Sequence, residues 1–140
     1  MFEIKNCPGT LAPNHTTYST TALRRLFGGK KVSPFMELLY DNEDTTEEIV
    51  ENIKRISISG VQEKLSAVIR KGKICLTPEG EQGLYIIKPA PSNKSLRFRN
   101  QIPANEHLTM QIARQVFSIE TGENGLLFFQ DNTPAYIIRR

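Results

Sequence analysis

Three groups of residues in this chain have the types and the order needed to hold an anion such as a phosphate. The first is the polar segment SISGVQEK at residues 57–64, the second is Lys88 at the end of the apolar segment LYIIK, and the third is Glu106 in NEHLTMQIAR. Gly60 lets backbone N–H groups approach a phosphate, and the neighbouring serine, glutamine and lysine side chains add donors. Alone the segment is a weak signal, because it matches neither GxxxxGK[ST] nor GxGxxG and an ordinary polar hairpin has the same residue types.

The carboxylate of Glu106 needs a nearby cation if it is buried. At roughly 100° per residue, it falls within the apolar sector of a helix predicted over residues 104–117. That sector is formed by Leu108, Met110, Ile112, Ala113, Val116 and Phe117. Lys88 is the best candidate cation, because it continues the face of Leu84 and Ile86 on the preceding strand. The alternative is that Glu106 only interacts with the helix N-terminus while Lys88 extends to solvent.

Alternating and turn-forming residues predict an antiparallel sheet that carries these groups. Leu65, Ala67 and Ile69 alternate with Ser66, Val68 and Arg70 as in a strand. Lys71 and Gly72 suit a tight turn, and residues 73–77 return as a partner strand. A short apolar strand follows at residues 84–88 and ends at Pro89. After the helix, residues 126–130 and 135–138 form a closing antiparallel pair. The order of three strands, one helix and two strands predicts an α+β fold with one main helix.

A small helical segment is predicted before this sheet. Ser19 or Thr20 can cap the sequence TALRRLF, and Gly28 and Gly29 end it. Proline, glycine and asparagine interrupt residues 1–17, and the acidic run DNEDTTEE at residues 41–48 is typical of a solvated connector. We therefore expect a lead-in subdomain at residues 1–55 and a second unit at residues 56–140.

Composition excludes several classes of protein. Hydrophobic residues make up 39% of the 140 residues and charged residues 24%, which is typical of a globular chain rather than a disordered or membrane one. No apolar run approaches the roughly 20 residues that cross a bilayer, and the N-terminus has no secretory pattern, so a cytoplasmic location without membrane contact is expected. Cys7 and Cys75 are expected to be reduced, and the lack of CxxC or HxxxH spacing argues against a metal site.

The net charge of +3 is too weak a bias to indicate nucleic-acid binding. The clustered basic residues are Arg24, Arg25, Lys30, Lys31, Arg97, Arg99, Arg139 and Arg140. Neither an aromatic platform nor a helix-turn-helix pattern accompanies them. A small basic nucleic-acid binder is therefore the weakest hypothesis, and no direct contact with nucleic acid is expected.

Five segments together resemble the HipA family of bacterial serine/threonine kinase toxins, and more closely its HipT-type members from three-gene toxin–antitoxin systems. The segments are YSTTALRRLFGGKKVSP at residues 18–34, ISISGVQEKLSAVI at 56–69, YIIKPAP at 85–91, NEHLTMQIAR at 105–114 and AYIIRR at 135–140. Their order and spacing agree with the family over most of the chain, and SxSGxQxK is the most specific piece. The resemblance implies a kinase-like small lobe, mostly β, with its N-terminal lead-in.

By this resemblance, a loop and a lysine hold the phosphates of ATP. These ATP-binding residues are Ser59, Gly60, Val61, Gln62, Glu63, Lys64 and Lys88. Glu106 matches the helix carboxylate that orients the lysine, and Ser57 and Ser59 occupy the positions at which such kinases phosphorylate themselves. A phosphate there adds roughly −1.5 to −2 charge where the nucleotide phosphates bind, so the modification is expected to weaken ATP binding.

The chain departs from the family after IIRR, where the hinge, the catalytic aspartate and the metal-binding aspartate would follow. We therefore assign no catalytic residue and no metal ligand to this chain, and we expect the C-lobe to be absent, as in a truncated or split kinase. The complete kinase would use ATP and Mg²⁺. An isolated small lobe is expected to have little or no phosphotransferase activity, so whether this chain is itself an enzyme stays open.

The resemblance also implies partners. The complete kinase would phosphorylate a seryl hydroxyl on a translation factor such as an aminoacyl-tRNA synthetase, and antitoxin proteins, one of them DNA-binding, would restrain it. A kinase C-lobe or split partner would complete the nucleotide site. The alternative hypothesis is a non-catalytic docking or antitoxin-like module, which would bind a kinase or antitoxin partner without using ATP.

Overall fold

The computed structural model describes residues 2–38, 63–78, 81–93 and 95–140, and these residues form an α+β fold, as predicted. The elements are α1 (Thr20–Phe27), β1 (Leu65–Arg70), β2 (Lys73–Leu76), β3 (Tyr85–Pro89), α2 (Ile102–Gln115), β4 (Asn124–Phe128) and β5 (Pro134–Arg139). A single 3-10 turn, Arg99–Gln101, leads into α2. The boundary predicted between residues 55 and 56 lies outside the described residues.

The described strands form one five-stranded antiparallel sheet in the order β2-β1-β3-β5-β4. The β1–β2 hairpin turns at Lys71 and Gly72, both of which have positive φ angles of 51° and 74°. The central strand, β3, pairs with β1 through Leu65 and Ile87 and with β5 through Lys88 and Tyr136. The register therefore fixes which side chains lie beside Lys88.

Strand β4 begins and ends two residues earlier than the predicted range of residues 126–130. The reason is a turn that starts at Phe129, whose carbonyl accepts a hydrogen bond from the Asn132 N–H at 2.9 Å. Asn132 has a left-handed φ of 65°, which asparagine tolerates better than most residues. The apolar run therefore bends before it can continue as a strand.

Helix α1 begins and ends where its capping residues predict. The Ser19 hydroxyl accepts a hydrogen bond from the Ala22 N–H at 3.2 Å, which satisfies a donor that the first helical turn leaves free. Gly28 follows the helix with a left-handed φ of 63°, and the Gly29 N–H donates to the Leu23 carbonyl at 2.9 Å. Local sequence is therefore sufficient to define this element.

The segment that contains α1 covers one face of the sheet. Leu26 and Phe27 are buried among inward-facing strand residues such as Ile87. Two tyrosines join the layers: the Tyr18 hydroxyl donates to the Leu126 carbonyl at 2.5 Å, and the Tyr85 hydroxyl donates to the Leu26 carbonyl at 2.9 Å. The N-terminal segment and the sheet therefore share a hydrophobic core.

Helix α2 contacts the sheet at β4 and β5, but with the side opposite to the one that its apolar sector suggests. His107 and Gln111 are 0% and 6% exposed, whereas Leu108 and Ile112 are 47% and 41% exposed. The polar side of α2 can face the sheet because the Asn124 Oδ1 accepts hydrogen bonds from His107 Nδ1 at 2.9 Å and Gln111 Nε2 at 3.2 Å. An expectation that the apolar sector is buried is therefore wrong for much of this helix.

Both ends of α2 lie two residues before the predicted range of residues 104–117. Pro103 fits the first helical turn, where its missing N–H is no loss. At the other end, Ser118 has a φ of 53° and the Ile119 N–H donates to the Ala113 carbonyl at 2.9 Å, which ends the helix before Phe117. Across the described ranges, no helix has the length and apolar character needed to cross a membrane.

We expect the substitution Gly83→Ala to destabilise the fold by about 1–3 kcal/mol, the usual range for an overpacked site. The Gly83 N–H donates to the Ser66 hydroxyl at 3.2 Å, and a Cβ atom at this position would meet that hydroxyl and lie 2.6 Å from both the Ala67 carbonyl and the Thr77 hydroxyl. Urea denaturation measures the change, with Gln82→Ala as the exposed neighbouring control. Equal stability of the two variants would contradict this prediction.

We also expect His107 to make the fold less stable in mild acid. Burial lowers the pKa of His107, and the hydrogen bond with Asn124 offsets this only in part. Because the unfolded chain then binds the proton more readily, the stability present above about pH 6.5 is lost as the pH falls, by at most about 1.4 kcal/mol per pH unit. Urea denaturation between pH 7.5 and 5.5 measures this slope.

The other histidine provides the control for this measurement. The chain contains two histidines, and His15 lies on the N-terminal segment, outside α2. The variant His15→Gln should keep the acid-dependent loss of stability, and His107→Gln should lack it. An unchanged slope in His107→Gln would assign the effect to other groups.

Candidate anion-binding site

An ion pair joins the central strand to the main helix. Lys88 on β3 and Glu106 on α2 lie with Nζ and Oε1 2.6 Å apart, and each side chain is 24% exposed. The contact predicted between these two residues is therefore present. A partly buried pair of this kind keeps the ammonium in one position while leaving it accessible to solvent.

The segment between β3 and α2 determines where Glu106 lies. The Ala90 N–H donates to the Pro134 carbonyl at 3.0 Å, which holds the chain beside β5 as it leaves β3. The Arg99 guanidinium then donates to the Pro91 carbonyl at 2.9 Å, which closes the connection just before the helix. Glu106 consequently faces Lys88 one turn into α2, and His107 beside it fixes the rotation of the helix on the sheet.

Tyr136 is a member of this site that the sequence interpretation missed. It lies directly opposite Lys88 on β5, is 0% exposed, and has its ring centroid 5.5 Å from the Lys88 Nζ. Burial raises the pKa of the Tyr136 hydroxyl above its usual value, and the Glu106 carboxylate raises it further. The hydroxyl therefore stays protonated. A tyrosine in AYIIRR was visible in the sequence, but only the strand register connects it to Lys88.

Part of the predicted phosphate-binding loop can be compared with the structure. Ser57, Ser59, Gly60, Val61 and Gln62 lie outside the described residues, so their assigned roles stay predictions. Of the two loop residues that are described, Glu63 accepts a hydrogen bond from the Ser92 hydroxyl at 2.6 Å through Oε1.

Lys64, the other described loop residue, immediately precedes β1. Because Leu65 pairs with Ile87, Lys64 enters the sheet at the level of Lys88. The described end of the loop therefore lies at the same end of the sheet as the ion pair.

The arrangement can bind an anion. An ammonium group has three donors, and the Glu106 Oε1 accepts from one of them, so Lys88 retains donors for an oxygen ligand. The carboxylate limits the movement of the lysine, which reduces the entropy lost on binding. Over the described residues no group of three or more histidine, cysteine, aspartate or glutamate side chains could hold a metal ion. These side chains provide charge and position, and none of them is an evident nucleophile.

We expect Lys88 and Glu106 to stabilise each other by about 1 kcal/mol, which is above the usual value for an exposed pair because both groups are mostly buried. A double-mutant cycle of Lys88→Met, Glu106→Gln and the double variant measures the coupling by urea denaturation. The coupling should decrease only slightly in high salt, because a shielded pair is weakly screened.

A second ion pair, between β2 of the same sheet and the N-terminal segment, provides a matched control. Lys73 on β2 pairs with Glu37, and these side chains are 50% and 74% exposed. The same cycle with Lys73→Met and Glu37→Gln should give only a few tenths of a kcal/mol. A coupling at Lys88 no larger than that of this exposed pair would mean that burial does not strengthen the contact.

Comparison with protein-family models gives no match for this chain, and comparison with curated protein sequences gives no significant match.

Proposed function

We propose that this chain is the nucleotide-binding small lobe of a HipT-like serine/threonine-protein kinase of a toxin–antitoxin system. The observation that carries the proposal is the ion pair between Lys88 and Glu106 at 2.6 Å. In protein kinases, a lysine on the third strand and a glutamate on the next helix must pair before the lysine can hold the nucleotide phosphates. Here the lysine is on β3 and the glutamate is on α2, which follows it.

The described end of the predicted loop, Glu63 and Lys64, supports the same function. Lys64 precedes β1 at the level of Lys88, so the described end of the loop lies at the same end of the sheet as the ion pair. A glycine-containing loop over the phosphates and a lysine beneath them form the usual kinase arrangement. In this proposal Ser59, Gly60, Glu63 and their loop neighbours cover the phosphates of ATP.

The proposal assigns binding and orientation, rather than proton transfer, to the described residues. The catalytic aspartate and the ligands of Mg²⁺ would come from a second lobe or a split partner. Phosphorylation of Ser57 or Ser59 would place negative charge near Lys64 and Lys88, where the ATP phosphates must bind, and would turn the site off. The substrate would be a cytosolic translation factor such as an aminoacyl-tRNA synthetase, and antitoxin proteins would restrain the complete kinase.

A specific feature of the surface favours the alternative function, a non-catalytic docking module. The outer side of α2 and the residues just after it expose apolar side chains. The exposed residues are Leu108, Ile112, Val116, Phe117 and Ile119. A contiguous apolar surface of this kind is typical of a contact with another protein or domain. A module that only docks would use this surface and would not respond to nucleotide.

We expect Mg·ATP to bind the intact chain weakly and Lys88→Met to reduce its affinity by about tenfold to a hundredfold, the range for losing a charged hydrogen-bonding group. Backbone amide NMR shifts during titration with millimolar Mg·ATP measure the dissociation constant. The shifts should be largest at β3 and β5 around Lys88. Lys73→Met removes the same charge from β2 and should leave the affinity unchanged.

Two results would contradict the kinase-lobe function. Equal binding by the parent and Lys88→Met would exclude Lys88 as the phosphate-holding residue. Absence of saturable binding, together with a partner interaction that Ile112→Asp abolishes, would favour the docking module.

A further inference from the structure

Tyr136 contacts the ion pair through its ring and makes no use of its hydroxyl within the described residues. The hydroxyl oxygen is buried and has no hydrogen-bond partner among them. A buried hydroxyl without a partner destabilises a fold, whereas the ring lies within the roughly 6 Å at which a cation is attracted to an aromatic face. The part of this side chain that contributes to the site is therefore the ring.

The ring is fixed more firmly than the lysine above it. Tyr136 is 0% exposed and lies on β5 between its neighbours β3 and β4, opposite Lys88 on one side and Leu126 on the other. Lys88 has a flexible four-carbon stem and is partly exposed, so its ammonium has more freedom than the ring. Glu106 contacts the ammonium from α2 and the ring attracts it from the sheet. The two contacts come from different elements and limit different movements.

We propose that Tyr136 is a positioning residue for Lys88, and that its aromatic ring, rather than its hydroxyl, holds the ammonium ready for the phosphates of a nucleotide. This inference rests on the proposed function for its ligand. It goes beyond that function by assigning a role to a residue of β5 that contributes no hydrogen bond to the ion pair. The ring attracts a cation without carrying an opposite charge, so it adds nothing to the offset of the Lys88 charge that Glu106 already provides.

Two substitutions separate the ring from the hydroxyl. Tyr136→Phe keeps the ring, so the Mg·ATP dissociation constant should stay within about twofold of the parent, and the melting temperature should be equal or higher because an unpaired buried hydroxyl is removed. Tyr136→Leu removes the ring, and the dissociation constant should rise about threefold to thirtyfold, the range for a partly or fully desolvated cation–π contact. Amide NMR titration measures affinity, and circular dichroism measures melting.

Phe129→Leu controls for the general effect of removing a buried aromatic ring. Phe129 is 0% exposed and belongs to the hydrophobic core that α1 covers. Its replacement should lower the melting temperature but leave the dissociation constant for Mg·ATP unchanged. The comparison distinguishes loss of stability from loss of lysine positioning.

A second measurement needs neither nucleotide nor the leucine variant. In the free chain, the ring current of Tyr136 should shift the Lys88 Hε protons upfield. The shift should persist in Tyr136→Phe, because the ring remains. Absence of the shift in the parent would overturn the positioning role directly.

Two affinity results would contradict the proposed role of the Tyr136 ring. Unchanged affinity in Tyr136→Leu would overturn the role of the ring, and a loss of fivefold or more in Tyr136→Phe would assign the role to the hydroxyl instead. If the parent does not bind Mg·ATP at all, the nucleotide function fails, and with it the readiness of Lys88 for phosphates. The ring-current shift then still decides whether Tyr136 positions Lys88, so the two failures are distinguishable.

Discussion

The contact between the Lys88 ammonium and the Glu106 carboxylate connects the two halves of the site. It joins the middle strand of a five-stranded sheet to the helix that lies across β4 and β5. Without Glu106, the Lys88 side chain would sample several rotamers. Without Lys88, the Glu106 carboxylate would be hydrated and would have no fixed position. Pairing gives each group a defined position, because the sheet register fixes one end and the seating of α2 fixes the other. The chemistry proposed for the chain depends on this shared geometry.

The seating of α2 explains why a polar helix face can be the buried one. Asn124 on β4 accepts from both His107 and Gln111, and its own amide group donates to the Gly122 carbonyl at 2.8 Å. These hydrogen bonds offset much of the cost of burying the amide groups and the His107 Nδ1 atom. Such bonds also have direction, which apolar packing lacks. They hold α2 at one rotation, and that rotation brings Glu106 to Lys88.

Some of these features could be predicted from the sequence, since they depend on neighbouring residues. The cap at Ser19, the glycine stop at Gly28 and the hairpin at Lys71 are local, and the structure contains all of them. The contact of Lys88 with Glu106 was also predicted, but on the assumption that the apolar sector of the helix is buried. In the structure Leu108 and Ile112 of that sector are exposed, and the contact depends on how α2 is rotated on the sheet. Strand ends near Phe129 were harder, since a turn can replace the last strand residues without changing the apolar pattern.

Tyr136 and the rotation of α2 could not be predicted in the same way. The pairing of Lys88 with Tyr136 joins residues far apart in the chain, and its register depends on how three strands align. The rotation of α2 depends on Asn124, a residue that follows the helix and has no periodic signature of its own. A prediction from apolar periodicity takes the apolar side of a helix to be the side that packs on the sheet. Here the side with His107 and Gln111 packs on the sheet through hydrogen bonds with Asn124, and Leu108 and Ile112 are exposed.

Because α1 packs over one face of the sheet, a fragment of this chain needs the N-terminal segment to keep its hydrophobic core buried. A piece beginning at β1 would keep the five described strands and the ion pair, yet it would lose the layer over Ile87, Leu127 and Ile137. The Tyr85 hydroxyl would also lose its acceptor on Leu26. Such a fragment would expose a large hydrophobic face of the sheet to water and would tend to self-associate. Removing the first 38 residues would therefore expose this core, although Glu106 and Tyr136, which contact Lys88, would both remain.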